Sequence, residues 1–477
     1  MIETTRDVIV IGGGISGLAA AWYVKRRGLD VCLFEAEDGV GGCTRTAARD
    51  GFLLEKGPFN VIVRDPAFEE ILAEFSGKVK VVSASRAARA RFIYRKGRLW
   101  KVPTNPVALA ATGLLGFSGK LRLLAGLLRS KPAGEKEETI EQVAVRRFGR
   151  EVADTLVSAV VAGIFAGDIK RLSLPACFPG VAPIDREVRS LLAYGLGAPI
   201  RAKRNPNKHK RRWRGLVSLE GGLGALTAAI GDELGDDLAR ACRIESIRSD
   251  DGEFEVTYEH HTDPPRRLRS RQLVIASPAS EAARLLVLMA PDAAALLKTV
   301  ASASLAVLNL GFKSADIGHP LEGFGFLVPD GEPGFPLMGV LWADSIFPHH
   351  APADHRLIRV FIGGSRDPDA VSRSDSDLVN TAVDSLRGLL DISGAPVLVD
   401  FCRYRAAVPQ YYLGHREMVG RIRESVAAQP GLHLVGNYLE GVSLNDCVRL
   451  AKRVAGEVGA FSQERGTLTV TEAPTLR

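Results

Sequence analysis

Between Asp7 and Trp22 the chain reads DVIVIGGGISGLAAAW. A β-branched run, Val8 to Ile11, meets Gly12, Gly13 and Gly14, and Ile15, Ser16 and Gly17 then open a stretch of small residues. Gly12, Gly14 and Gly17 form G-x-G-x-x-G directly after a strand and at the mouth of a helix. The first glycine permits the tight turn, the second the close approach of backbone to a pyrophosphate, and the third close helix–strand contact. A helix beginning there directs free N–H groups and a positive dipole end at phosphate. The next strand, Val31 to Phe34, leads into Glu35 and Ala36. Glu35 lies 35 − 12 = 23 residues past Gly12, the place for a carboxylate that grips ribose hydroxyls and disfavours a 2′-phosphate. A dinucleotide-binding α/β domain is therefore expected; this much leaves nicotinamide and flavin dinucleotides unseparated.

The 477 residues, 46% hydrophobic and 25% charged, are ordinary globular composition with room for two or three domains. A net charge of +7 suits a nucleic acid, an anionic membrane surface or an acidic substrate and says nothing of fold. Cys32, Cys43, Cys177, Cys242, Cys402 and Cys447 are scattered, without disulfide or zinc spacing, so reduced thiols are expected. His349, His350 and His355 lack a metalloprotease spacing, and no metal is expected. The N-terminal apolar run begins with an acid and is broken by glycines, unlike a signal peptide. Pro106 to Ser130 is the most apolar stretch, but Lys120 and Arg122 interrupt it, so no spanning helix is expected. Lys120 to Arg129 fits an amphipathic helix that lies either in a membrane interface or on its own domain. Arg201 to Gly215 holds eight Lys/Arg and one His with a single aromatic, Trp213. That run reads as a solvated loop rather than a nucleic-acid site, with contact to anionic lipid open to it.

Further along, Thr139 and Gln142 match a capping box. GGLGALTAAIGDEL is a glycine entry into a helix, and EFEVTYEH and RQLVIASP read as strands. Short β-like runs fill Ala303 to Gly364, and the last segment reads strand, glycine turn, helix, with a frayed tail after about Ser462. The α/β parts are thus separated by two other blocks. The expected domains are a discontinuous dinucleotide domain (1–80, 215–300, 425–462), a β-sheet substrate domain (81–103, 301–424), a helical domain (104–214) and a tail (463–477).

A second glycine pair, Gly41 and Gly42, follows Glu35 in EAEDGVGGCTRT, and LVGNYLEGVSLNDCVRLA stands near the C-terminus. Both resemble the flavoproteins that include amine oxidases, phytoene desaturases and protoporphyrinogen oxidases. GFLLEKGPFNV, AGIFAGDIKRLSLPACFP, GFGFLVP and EGVSLNDC narrow the likeness to oxygen-dependent protoporphyrinogen oxidases and their relatives that oxidise coproporphyrinogen III. It runs from about Val8 to Ala460, and AGIFAGDIKRLS is its most specific part. The resemblance implies an α/β fold: an FAD-binding Rossmann-type (ββα) domain with an inserted mixed β-sheet substrate domain and a helical, membrane-associating domain. It also implies FAD as cofactor and six-electron oxidation of protoporphyrinogen IX to protoporphyrin IX. Electrons pass two at a time to FAD and then to O2, giving hydrogen peroxide. Coproporphyrinogen III is the alternative substrate; the apolar Pro106–Ser130 segment favours protoporphyrinogen. An amine oxidase or desaturase is disfavoured by AGIFAGDIKRLS. A non-catalytic flavin- and tetrapyrrole-binding assembly protein is the reading from another class.

Carried over residue by residue, the likeness puts a propionate-binding arginine at Arg91, with Arg89 and Arg95 close in register. It puts apolar residues that sandwich the macrocycle at Leu327, Leu341 and Phe361, and a pocket-wall glycine at Gly163. FAD contacts fall on Gly12 to Gly17, Glu35, Ala36, Gly41, Gly42, Cys43, Gly57, Pro58, Phe59, Asn60, Ile244, Gly436, Asn437, Gly441, Val442 and Ser443. The chain departs from its relatives at Phe59, where a polar residue is common, and at Tyr404, where Trp is common. Beyond substrate and O2, a peripheral contact with the cytoplasmic face of the inner membrane and a second copy of the chain are the expected partners of a cytoplasmic protein; nucleic acid is not.

Overall fold

The computed structural model describes residues 2–128, 136–188, 190, 212–261, 263–332 and 334–465. Most of the basic run 201–214 and the tail beyond Arg465 lie outside the described residues. The last helix, Leu444–Arg465, runs past the point where the sequence suggested fraying.

The strand Ile2–Ile11 sits inside a parallel sheet core, between Val31–Phe34 and Arg266–Ile275. Leu238–Ala239 adds to one edge, and Leu432–Leu434 pairs in parallel with the end of Arg266–Ile275. Glu253–His260 and Cys242–Asp250 complete the sheet in antiparallel fashion. Val8, Ile9 and Val10 are wholly buried, which is why this strand is a continuous apolar run rather than an alternating one. The helix Ile15–Lys25 covers the sheet and packs on Leu444–Arg465. Ala19, Ala20 and Ala21 on the first helix and Ala451 and Ala455 on the second are fully buried; methyl-sized side chains let the two helices come close. Each buried Val, Leu or Ile adds roughly 1.5–3 kcal/mol, so most of the drive to fold resides in this sandwich.

A second sheet runs in the order Leu398–Pro409, Ser302–Lys313, His355–Gly363, Leu337–Trp342, Gly325–Leu327, Phe92–Arg95, Arg98–Lys101. Side chains alternate between its faces. One face, with Leu308, Leu310, Val340, Ile358, Val360 and Ile362, is sealed by Leu378, Ala382, Leu386 and Leu390 of the helix Asp375–Leu390. The other face turns toward the loops of the first sheet and carries Leu327, Leu341, Arg359, Phe361 and Asn309.

Between Pro106 and Glu187 the regular elements among the described residues are helices. Thr139 caps Ile140–Phe148 in the capping box read from the sequence: its N–H donates to Gln142 Oε1 at 2.8 Å and its hydroxyl accepts from the Gln142 N–H at 3.2 Å. Asp185, buried, joins Arg146 at 2.7 Å and also Arg147, and Arg146 reaches Glu138 at 2.6 Å. The amphipathic helix is Phe117–Leu128. It packs through glycines: a Cβ on Gly119 would collide with Glu151 and one on Gly126 with the Arg147 carbonyl. Phe117, Leu121, Leu124 and Leu128, spaced as one stripe, are left exposed, together with Val107 on the preceding short helix. Among the described residues no helix is long and apolar enough to cross a membrane.

Candidate functional site

The glycine motif folds as its spacing demands. Gly12 has a φ of +107°. A Cβ on Gly17 would lie 1.8 Å from the Gly12 carbonyl oxygen, so helix and turn pack backbone to backbone. Gly14 caps the helix Ile15–Lys25, and its Cβ direction meets no atom within 4 Å. That open space stands over the helix N-terminus, where backbone N–H groups are free to receive phosphate. Ile15 and Ser16 are buried behind it.

Glu35 ends the second strand and is buried. Its carboxylate accepts from the Gly13 N–H at 2.7 Å and the Glu37 N–H at 2.8 Å; the unused lone pairs suit ribose hydroxyls. Ala36 is exposed beside it. Ile244, 5% exposed, lies on the strand whose first N–H, from Cys242, donates to the Glu35 carbonyl at 2.8 Å.

The second glycine pair lies directly on the first. The Gly41 N–H donates to the Gly13 carbonyl at 2.8 Å, Gly41 forms a parallel bridge with Gly14, and a Cβ on Gly42 would stand 3.3 Å from the Gly14 Cα. Gly57 then abuts Cys43, since its Cβ would be 2.3 Å from the Cys43 carbonyl oxygen. Thr44 Oγ1 is buried here with no partner. The C-terminal segment closes the ring. Asn445 accepts from the Arg64 and Asp65 N–H groups at 2.9 and 3.1 Å and donates to the Ile62 carbonyl at 3.0 Å. Ser443 caps the last helix, its hydroxyl accepting from the Asp446 N–H at 3.3 Å. Gly441, with φ of +77°, turns against Asp446. Gly436 abuts the Tyr438 ring, the Asn437 carbonyl accepts the Tyr411 hydroxyl, and Val442 is half-buried. Loops far apart in sequence are thus drawn together around the Gly12–Gly17 turn.

The substrate residues expected from the sequence also meet. Leu327 pairs across strands with Gly339, and Gly339 with Phe361; Leu341 pairs with Arg359 two residues along. Leu327, Leu341 and Phe361 therefore share a face. A Cβ on Gly163, in the helix Ser158–Phe165, would lie 2.8 Å from Leu327 Cδ2, and Val160 and Ile164 beside it are exposed. Arg91 is exposed, not buried, with its guanidinium over the Phe324 ring at 5.2 Å; no carboxylate among the described residues pairs with it. Arg95 is engaged elsewhere, by the Leu114 carbonyl and by Glu151 at 3.7 Å, and Arg89 is exposed in a short 3-10 turn.

Phe59 does not face the cleft as a polar residue would. It is 6% exposed and packs on Phe347 and His350 with ring centroids 5.6 and 5.0 Å away. Burial pushes His350 down to about 3, so it is neutral in ordinary buffers. Tyr404 is half-buried and donates to the Lys56 carbonyl at 3.2 Å.

Beneath these loops lies a polar cluster that the sequence reading missed. Glu55 is buried, accepts from the Leu223 N–H at 2.7 Å and the Thr46 hydroxyl at 2.8 Å, and is pushed up to about 7 by burial. Asn309 bridges the Glu55 carbonyl and Asp400, and Lys56 pairs with Asp400 at 2.6 Å. Arg359, fully buried, donates to the Gly57 carbonyl. A lone cation inside the apolar run LIRVFIGG was the available signal.

Gly14→Val tests the cleft separately from the fold. The branched side chain points into open space, so the variant is expected to melt like the parent yet purify without stoichiometric dinucleotide; full dinucleotide loading, read by absorbance, contradicts the assignment.

The model of the flavin-containing amine oxidoreductase family matches residues 15–459. Among similar proteins, a chloroplastic protoporphyrinogen oxidase of Nicotiana tabacum is 31% identical over 95% of this chain and 86% of its own. A coproporphyrinogen III oxidase of Bacillus subtilis (strain 168) is 27% identical over 96% and 98%. The crystal structure of a provisionally named protoporphyrinogen oxidase from Exiguobacterium sp. 255-15 superposes with a TM-score of 0.78 at 26% identity, covering 96% of this chain and 99% of that one. With the stacked glycine loops, the buried Glu35 carboxylate and the C-terminal closure in place, the chain belongs to the flavin-containing amine oxidoreductase family and is an FAD-dependent oxidoreductase.

Proposed function

We propose that this oxidoreductase removes six electrons from protoporphyrinogen IX to give protoporphyrin IX. The observation that carries the reading is the shared face of Leu327, Leu341 and Phe361, with Gly163 set against Leu327. These apolar side chains share the sheet face from which Arg359 reaches the Gly57 loop. A planar, greasy macrocycle fits such a wall, and its oxidation needs orientation more than proton transfer by the protein. FAD, held by Gly12 to Gly17, Glu35, Gly41 to Cys43, Gly57, Pro58, Asn60 and the Gly436–Ser443 loop, supplies a two-electron acceptor that O2 restores with release of hydrogen peroxide. Three such rounds balance one porphyrin against three O2 and three peroxides. Leu327, Leu341 and Phe361 hold the ring flat and keep water from it. Gly163 leaves room where a side chain would push Leu327 into the slot. Arg91, exposed and free of carboxylates, anchors a propionate at the rim.

Coproporphyrinogen III is the second reading, supported by the Bacillus relative that matches over nearly its whole length. The exposed stripe Phe117, Leu121, Leu124, Leu128 favours the less polar substrate, because it suits peripheral contact with a bilayer, where protoporphyrinogen partitions. Side-by-side turnover of the two porphyrinogens, with peroxide measured, decides between them. Faster turnover of protoporphyrinogen IX is expected; turnover of neither overturns the proposal.

Arg91→Ala is expected to raise KM about tenfold with a smaller loss in kcat, the size of one charge-assisted hydrogen bond at a wet rim. Unchanged kinetics would place the propionate elsewhere. In a sedimentation assay with phosphatidylglycerol vesicles, Leu121→Glu with Leu124→Glu is expected to release the protein to the supernatant; equal sedimentation of variant and parent contradicts membrane contact by this helix.

A further inference from the structure

Arg359 is the largest charged side chain in the interior that the proposed reaction leaves without a task. It is 0% exposed. One guanidinium nitrogen donates to the Gly57 carbonyl, in the loop that borders the cofactor cleft, while Nε and Nη1 have no hydrogen-bond partner. Its neighbours on either side in the sheet are Leu341 and Asn309. The guanidinium stands over two rings, Phe59 of the cofactor loop at 5.7 Å and Phe361 of the substrate wall at 5.3 Å. It is thus a charge enclosed at the seam between cradle and wall, one aromatic layer from each.

No carboxylate among the described residues forms an ion pair with it. Glu55 is near enough to be felt, but its carboxylate is taken by the Thr46 hydroxyl and the Leu223 N–H. Asp400 is bound by Lys56 and Asn309. Burial lowers Arg359 to about 10, so it remains a cation at neutral pH. A half-satisfied buried guanidinium is costly and would ordinarily be replaced by an apolar side chain. Its retention makes sense if the charge acts on something placed nearby, since fields carry far through such poorly screened surroundings.

We propose that Arg359 is a positioning residue of the flavin site: it fixes the Gly57 loop and, through its enclosed positive field, stabilises the negative charge that FAD gains on two-electron reduction. Glu55 opposes that field from the same cluster. The inference rests on the FAD assignment alone and holds whichever porphyrinogen is oxidised.

Sulfite, which adds to oxidised flavins that favour negative charge, is the probe, used with the FAD-loaded full chain at pH 8.5 and read by loss of flavin absorbance. Arg359→Met is expected to weaken sulfite binding at least tenfold and to make the flavin midpoint potential more negative. Arg359→Lys should restore affinity to within about threefold. Glu55→Gln keeps an amide oxygen for the Leu223 N–H, turns its amide N–H toward the Thr46 hydroxyl as a donor, removes the charge and should tighten sulfite binding. The proposal is overturned if Arg359→Met holds FAD with parental sulfite affinity. If Arg359→Met does not load FAD, Glu55→Gln decides: tighter sulfite binding supports the proposal, and unchanged or weaker binding overturns it.

Discussion

The contact of one glycine loop with another governs this molecule. Gly41 donates to Gly13 and bridges Gly14, and Gly42 rests on the Gly14 backbone. A side chain at Gly42 would press on the Gly14 backbone, and one at Gly14 would fill the space over the helix N-terminus. Because the loops touch, Glu35 is held between them by the Gly13 N–H, and Gly57 can in turn settle on Cys43. Asn445 then ties the last helix to the backbone of residues 62–65. Parts of the chain almost four hundred residues apart are thus held together by glycine backbone contacts in the first loops and by the side-chain amide of Asn445.

The second sheet works as a two-faced partition. Its outer face is buried under the helix Asp375–Leu390, and that burial makes it stiff. Stiffness lets the inner face hold Leu327, Leu341 and Phe361 at fixed register against Gly163, while the same strands carry Arg359 and Asn309 toward the cofactor loops. On one strand, Phe361 and Arg359 thus stand two residues apart on the same face, the aromatic ring beside Leu327 and Leu341 and the guanidinium on the Gly57 carbonyl.

Much of this was legible in the sequence because it is local. Glycine spacing, the acid after the second strand and the Thr139–Gln142 box each report on a few adjacent residues, and each folded as read. The strand Val8–Ile11 was read short, since Glu3 and Arg6 disguise the first half of Ile2–Ile11. The wall residues were found through family likeness; their composition alone reads as core. What stayed hidden depends on contacts between distant segments. Leu398–Pro409 was missed as a strand because Asp400, Arg403 and Arg405 break its apolar pattern, and Asp400 is tolerated inside only because Lys56 and Asn309 meet it there. Arg359 and Glu55 were overlooked for the same reason. Arg91, expected from the family likeness to bind a propionate, lies at the surface with its guanidinium over the Phe324 ring.

In the proposed reaction, bound FAD takes electrons directly from a tetrapyrrole lying on the Leu327–Leu341–Phe361 wall. Mixing the loaded protein with protoporphyrinogen IX under strictly anaerobic conditions, while following flavin absorbance and porphyrin fluorescence together, tests it most directly. Flavin colour is expected to bleach, with three flavins reduced for each porphyrin formed and recovery only when O2 is admitted. Porphyrin appearing while the flavin stays oxidised, or a flavin that the porphyrinogen never bleaches, would contradict it.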